Sequence, residues 1–174
     1  ELRRRACEAE LALNRRTAPE LYYAIRSICR RPDGSLGFDE SGEALDWVVV
    51  MRRFAQSGLF DRLAIEGALT APLMTELADR IAAFHERAER TPDEGGSAGI
   101  AAVLAINEQA LTRFAPAIFA PAKVQALCAA TRAALPALSP LLDRRRLAGK
   151  VRHCHGDLHL GNICLVDGQP RLFD

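Results

Sequence analysis

The sequence predicts an α+β fold from three observations: a helix-forming opening, a run of short β-prone pieces separated by turn residues, and a long helical stretch that closes on a hairpin signal. Residues 2–16 are rich in helix formers. Leu2, Ala6, Ala9 and Leu13 recur there at three- and four-residue steps, the spacing of one helix face, and Pro19 lies just beyond. Strands are expected at 22–29, 36–38 and 47–51, with turns at Pro32-Asp33-Gly34 and at 39–42. Trp47-Val48-Val49-Val50-Met51 is apolar at every position, so it is expected to be central in a small antiparallel sheet. Trp47, Tyr22 and Tyr23 read as sheet core.

Beyond Phe54 the texture is helical. Residues 59–66 form a short helix closed by Gly67; Thr70 caps the next, Pro72 fits its first turn, and Leu73, Leu77, Ile81, Phe84 and Ala88 make its buried stripe, with His85 at or near the core. A flexible loop is expected at 91–99. Helices are expected at 100–114, 122–135 and 140–147, divided by prolines and packed as an alanine-rich bundle. Strand character returns at 151–154, and 163–166 and 171–173 flank Asp167-Gly168, a strong two-residue hairpin signal. The hairpin is expected to lie on the bundle.

Of the 174 residues, 49% are hydrophobic and 26% charged, with 23 basic against 22 acidic side chains and a formal net charge of +1. This excludes a disordered tail and gives no general reason to expect nucleic acid or a membrane. The arginine clusters at 3–5, 15–16, 30–31, 52–53 and 144–146 read as solvated surface, because no aromatic interleaving accompanies them. Five cysteines without a C-x-x-C pair argue against a disulfide framework or a zinc knuckle and suit a reducing, cytoplasmic location. Because it opens without methionine inside a helix and stops at Asp174 after a strand-like run, the chain is expected to be an excerpt of a longer protein.

Chemistry concentrates in one polar loop, residues 155–162, His-Gly-Asp-Leu-His-Leu-Gly-Asn. Asp157 is followed five positions later by Asn162, and Asp174 stands at the far end of the hairpin. Such oxygen donors suit magnesium held with a phosphate chain, with Asp157 left to accept a proton from an attacking hydroxyl. Loop capping alone also favours Asp and Asn at turns.

This H-G-D-x-x-x-x-N run, with a hairpin after it that ends in an acid, resembles the catalytic loop and metal-binding acid of the aminoglycoside phosphotransferase family, the bacterial branch of the protein-kinase-like fold. Cys-Glu-Ala-Glu-Leu-Ala-Leu-Asn-Arg-Arg from Cys7, Val-Met-Arg-Arg-Phe from Val50 and His-Gly-Asp-Leu-His-Leu-Gly-Asn-Ile from His155 look more closely like uncharacterised phosphotransferase-like proteins in which a P-loop ATPase domain often comes next. The resemblance implies a partial small lobe over 1–54 and a helical large lobe over 55–174. Asp157 is then the base, and Asn162 and Asp174 are the magnesium ligands. The strand at 48–51 begins the interlobe hinge, where Val50 and Met51 meet adenine. Glu10, with Glu8 competing, pairs with a phosphate-binding lysine. His159 stands where many protein kinases carry a catalytic-loop lysine, a place that implies a phosphate contact.

The implied activity is transfer of the γ-phosphoryl group of ATP, or of GTP, to a hydroxyl of a small molecule. The glycine-rich loop and lysine that should precede the first helix are not in these residues, whose only lysines are Lys123 and Lys150. The 174 residues alone are therefore expected to turn over nothing. Two alternatives stand beside this reading: a nucleotide-sensing module attached to an ATPase domain, and a zinc-dependent hydrolase using His153, His155 and His159. The second is off by one residue from the metal-binding loop of metallo-β-lactamase-like enzymes.

Overall fold

The computed structural model describes residues 1–39, 42–114 and 118–174, and its element order is that of an α+β chain. Two compact units appear: residues 1–84 together with 155–174, and residues 85–154. The lobe boundary expected after residue 54 falls inside the first unit, because the C-terminal hairpin packs with residues on both sides of that boundary.

In the first unit, helix α1 (Leu2–Asn14) does not bury the face read from its sequence. Leu2 and Leu13 are 84% and 41% exposed. The inward line is Cys7, Leu11 and Asn14, which shares the four- and three-residue steps but ends on a polar residue. Leu11 reaches the core of Ala18, Leu21 and Tyr22, while the Asn14 carbonyl accepts the Ala18 N–H at 2.9 Å and turns the chain towards the sheet.

Strands β1 (Tyr22–Arg30), β2 (Leu36–Phe38) and β3 (Ala44–Met51) are antiparallel in the order β2-β1-β3. β1 is therefore central, and the expectation that 47–51 would be central is corrected. β3 pairs on one side among the described residues, and Trp47 to Met51 are all only partly buried. Its apolar run covers α1 on one face rather than being enclosed on both. Only Tyr22 of the two tyrosines is core, since Tyr23 is 52% exposed. The reason is a register shift: Tyr22 pairs with Met51 and Ala24 with Val50, so Tyr23 is the extra residue of a bulge. Arg15 bonds to the carbonyls of both tyrosines there. Of the turn expected at 39–42, Asp39 holds the Ser27 N–H at 2.8 Å, and residues 40 and 41 lie outside the described residues.

Beyond β3 come a 3₁₀ turn (Gln56–Gly58), α2 (Phe60–Ile65) and α3 (Ala71–Arg87). Thr70 Oγ1 accepts the Leu73 N–H at 3.4 Å, the cap expected from sequence. Leu77 and Phe84 are the buried residues of α3. Strands β4 (Ile163–Val166) and β5 (Gln169–Leu172) form the predicted hairpin, with Asp167 at φ 52° and Gly168 at φ 77°, the positive pair that a type I′ turn requires.

The hairpin joins two apolar clusters. Cys164 and Val166 belong to one with Ala18, Leu21 and Tyr22; Ile163 and Leu172 belong to the other with Phe60, Leu77 and Phe84. Each fully buried side chain of this size contributes about 1.5–3 kcal/mol, so the hairpin is a core element, not a flap.

In the second unit, α4 (Gly96–Phe114) starts earlier than expected because Ser97 gives both its N–H and its hydroxyl to the Asp143 carboxylate, at 2.8 and 2.9 Å. The two helices expected at 122–135 and 140–147 are one, α5 (Pro121–Leu147), with Pro136 and Pro140 inside it. Both prolines are exposed and one turn apart, so the carbonyls they leave unpaired face the same, solvated side. Residues 151–154 form no strand; a single bridge joins Arg152 to Arg90, and the Arg152 guanidinium bonds to the Glu86 and Ala88 carbonyls. Among the described residues no helix is long and apolar enough to cross a membrane.

Candidate functional site

The polar loop is built by its own backbone and by one carboxamide. Gly156 sits at φ 91°, a conformation open to glycine, and lets the chain reverse immediately before Asp157. A 3₁₀ turn (Leu160–Asn162) comes next, capped by His159, whose Nδ1 accepts the Gly161 N–H at 3.1 Å. Asn162 is 7% exposed and closes the loop: its Nδ2 donates to the Asp157 carbonyl at 3.0 Å. Its own carbonyl accepts the Phe173 N–H at 3.0 Å, and the next amide, that of Asp174, donates to the Tyr22 hydroxyl at 3.1 Å. A chain of hydrogen bonds therefore runs from Asp157 through Asn162 to the end of the hairpin and on to β1.

Because the amide nitrogen of Asn162 is used within the loop, Oδ1 is the atom left for a ligand. The Asp174 carboxylate is exposed, and oxygen donors of these two kinds suit a hard divalent cation rather than a thiophilic one. The Asp157 carboxylate is exposed and lies 3.7 Å from His159 Nε2. Since His159 Nδ1 accepts a hydrogen bond, its neutral ring carries the proton on Nε2, towards Asp157.

The remaining predicted residues sit on the same unit. Val50 and Met51 pair with Ala24 and Tyr22 near the exit of β3. Glu8 is engaged with Arg4 at 2.8 Å on the exposed side of α1. Glu10 instead acts on Tyr22 through its charge: burial pushes the Tyr22 hydroxyl above its usual pKa, the Asp174 N–H opposes this, and the charges of Asp174 and Glu10 add to the rise. His155 has both ring nitrogens buried and without a hydrogen-bond partner among the described residues.

The zinc reading is corrected. Among the described residues no three His, Cys, Asp or Glu side chains gather as a metal site, and His159 has its Nδ1 engaged by the backbone.

Sequence reasoning missed the residues that anchor this site. The Arg52 guanidinium grips Asp167 at the hairpin tip, holding that carboxyl below its usual pKa. Arg171 pairs with Glu20, and Gln169 accepts from Arg80 and Arg171, both at 2.9 Å. Phe54 meets Phe173 edge to face at 5.2 Å. Arg52 lay in a cluster read as solvated surface, and no local pattern marks partners so far apart in sequence.

The family model described as "Phosphotransferase enzyme family" matches residues 4–174. The chain belongs to that family. Relatives of this family member include Uncharacterized protein Rv2004c of Mycobacterium tuberculosis and Uncharacterized protein Mb2027c of Mycobacterium bovis, each 31% identical over 182 aligned positions that cover 100% of the chain. The chain spans 34% of the length of each of these relatives. No solved structure matches this phosphotransferase-family chain. Family membership agrees with a kinase-like α+β architecture and suggests phosphotransferase activity.

Proposed function

We propose that the protein carrying this chain is a kinase that moves the γ-phosphoryl group of ATP or GTP to a hydroxyl of a small molecule. The observation that carries the proposal is the hydrogen-bond chain from Asp157 through Asn162 to Phe173 and Asp174, which ties the loop end that bears a carboxylate to the hairpin end that bears another. In this reading residues 1–54 are the end of the small lobe and 55–174 the large lobe. The exposed backbone side of β3 at Val50 and Met51 receives the base, Glu10 faces the phosphate-binding lysine, and His159 contacts phosphate only when its Nε2 proton turns from Asp157 to it. A P-loop ATPase domain in the same protein remains part of the proposal, and the length of the relatives accommodates one.

Asp157 takes the proton of the acceptor hydroxyl as its oxygen attacks phosphorus, and the nucleoside diphosphate leaves with the bond that breaks. Asn162 Oδ1 and the Asp174 carboxylate are the groups that would hold magnesium. When bound, magnesium neutralises charge on the phosphate chain. His159, with its proton on Nε2, orients the Asp157 carboxylate. Positioning and electrostatics carry the rate, since phosphoryl transfer asks little covalent chemistry of the protein.

The test uses the full-length protein. Asp157→Ala is expected to abolish transfer while leaving nucleotide affinity within a few-fold, whereas Asn162→Ala and Asp174→Ala weaken binding only when magnesium is present. An Asp157→Ala protein with undiminished turnover, screened over sugars, aminoalcohols and aminoglycosides, overturns the assignment. Magnesium-dependent nucleotide binding with no acceptor phosphorylated points instead to a nucleotide-sensing module.

A further inference from the structure

We infer that Tyr22 is a positioning residue for Asp174: its hydroxyl, delivered from the start of β1 through the core, fixes the backbone from which the metal-binding carboxylate projects. The inference rests on the reading of Asp174 as a magnesium ligand. Three observations carry it. Tyr22 is 1% exposed and among the largest fully buried side chains, packed with Ala18, Leu21, Cys164 and Val166, so its ring cannot swing. Its hydroxyl accepts the Asp174 N–H at 3.1 Å. Asp174 has φ 74°, a left-handed conformation that is strained for a non-glycine residue and persists where neighbours over-determine it.

Those neighbours are present on both sides. The preceding residue is locked by its N–H to the Asn162 carbonyl at 3.0 Å and by the edge-to-face contact of Phe173 with Phe54. Tyr22 supplies the lock on Asp174 itself. Its own backbone is held in turn, since Arg15 Nε donates to the Tyr22 carbonyl at 2.9 Å and Tyr22 pairs with Met51. A phenylalanine would fill the same volume and leave the Asp174 amide without this partner. The hydroxyl also carries a proton that it can donate, and the negative charges of Asp174 and Glu10 both act on it. Tyr22 thus links the sheet to the end of the hairpin through its hydroxyl.

The experiment is a magnesium titration of ATP binding by calorimetry, on the full-length protein as wild type, Tyr22→Phe and Val166→Ala. Val166 lies in the same apolar cluster and controls for simple loss of packing. Tyr22→Phe is expected to weaken the apparent magnesium affinity about tenfold, the low end for loss of a partner that orients a metal ligand, with magnesium-free nucleotide binding unchanged. Val166→Ala is expected to lower the melting temperature and leave the magnesium curve in place. Superimposed curves for wild type and Tyr22→Phe overturn the inference alone. A wild-type protein with no magnesium-dependent binding overturns the kinase reading and this inference with it. Should Tyr22→Phe not fold, amide hydrogen exchange on the wild type decides: a protected Asp174 amide supports the inference, and one exchanging at the rate of an unstructured chain overturns it.

Discussion

Arg52 and Asp167 form a bidentate ion pair at 2.8 and 2.9 Å across 115 positions of sequence. The Arg52 N–H also donates to the Leu21 carbonyl at 2.8 Å, so the arginine joins the exit of β3, the approach to β1 and the hairpin tip. Two planar groups in fork geometry fix orientation as well as distance, which a lysine in place of Arg52 would not do.

The pair predicts an acid-sensitive contribution to stability. Arg52 lowers the Asp167 pKa below the 3.8 of an unfolded aspartate, first through the hydrogen bonds and then through its charge. A carboxyl depressed by folding stabilises above its unfolded pKa, and that contribution disappears as the pH falls through the lower folded value. The same protein with Asp167→Asn should therefore lose less of its urea midpoint between pH 6 and pH 3 than wild type does. Asp33, Asp39 and Asp143 are depressed too and act in both proteins, so the difference between the two curves isolates Asp167. Identical acid slopes would show that the pair is too solvated to matter.

Gly161 gives a second prediction. A Cβ placed there would stand 2.9 Å from His159 Cε1 and 3.1 Å from its Nδ1, while the backbone itself is unobstructed. Gly161→Ala should push the imidazole off its cap and away from Asp157, lowering kcat about tenfold with little change in melting temperature. His159→Ala removes the group that is struck. The double variant should then be no slower than His159→Ala, a non-additivity that transient kinetics on the four proteins measures. Additive losses would mean that Gly161 acts on something other than His159.

Much of the fold was legible because its signals are local. The Asp167-Gly168 turn, the Thr70 cap and the stripe of α3 each depend on a few consecutive residues, and each stands where its sequence signal puts it. The errors arise where a local signal has two physical solutions. Leu2 and Leu13 keep helical spacing as faithfully as Cys7, Leu11 and Asn14, and the surface facing α1 decided between them. An apolar strand such as 47–51 suits a central place or a partly covered edge, and pairing partners settled it. Pro136 and Pro140 read as helix ends, yet two exposed prolines one turn apart are tolerated inside α5. At the site, the tight loop between Asp157 and Asn162 was legible from local spacing, whereas Tyr22, Arg52 and Glu20 act over distances no motif spans.

Cys164 offers a probe of the hairpin that is independent of any ligand. Its side chain is fully buried between the hairpin and the sheet, and burial pushes the thiol up from 9.0 to about 11. Only the thiolate reacts with disulfide reagents, so Cys164 should remain unmodified in the native protein at pH 8, while the partly buried Cys7 reacts. The same shift fixes a sign at alkaline pH. The unfolded thiol ionises first, so the unfolded state binds fewer protons than the native one and stability falls as the pH rises from about 9 towards 11. Tyr22 is raised as well and adds to the fall from pH 10 upwards. Cys164→Ala should leave only the Tyr22 part, flattening the decline in urea midpoint between pH 9 and pH 10. Rapid labelling of Cys164 under native conditions, at a rate independent of added urea, would mean that the hairpin opens without unfolding the unit, and the two clusters it joins would not be one cooperative core.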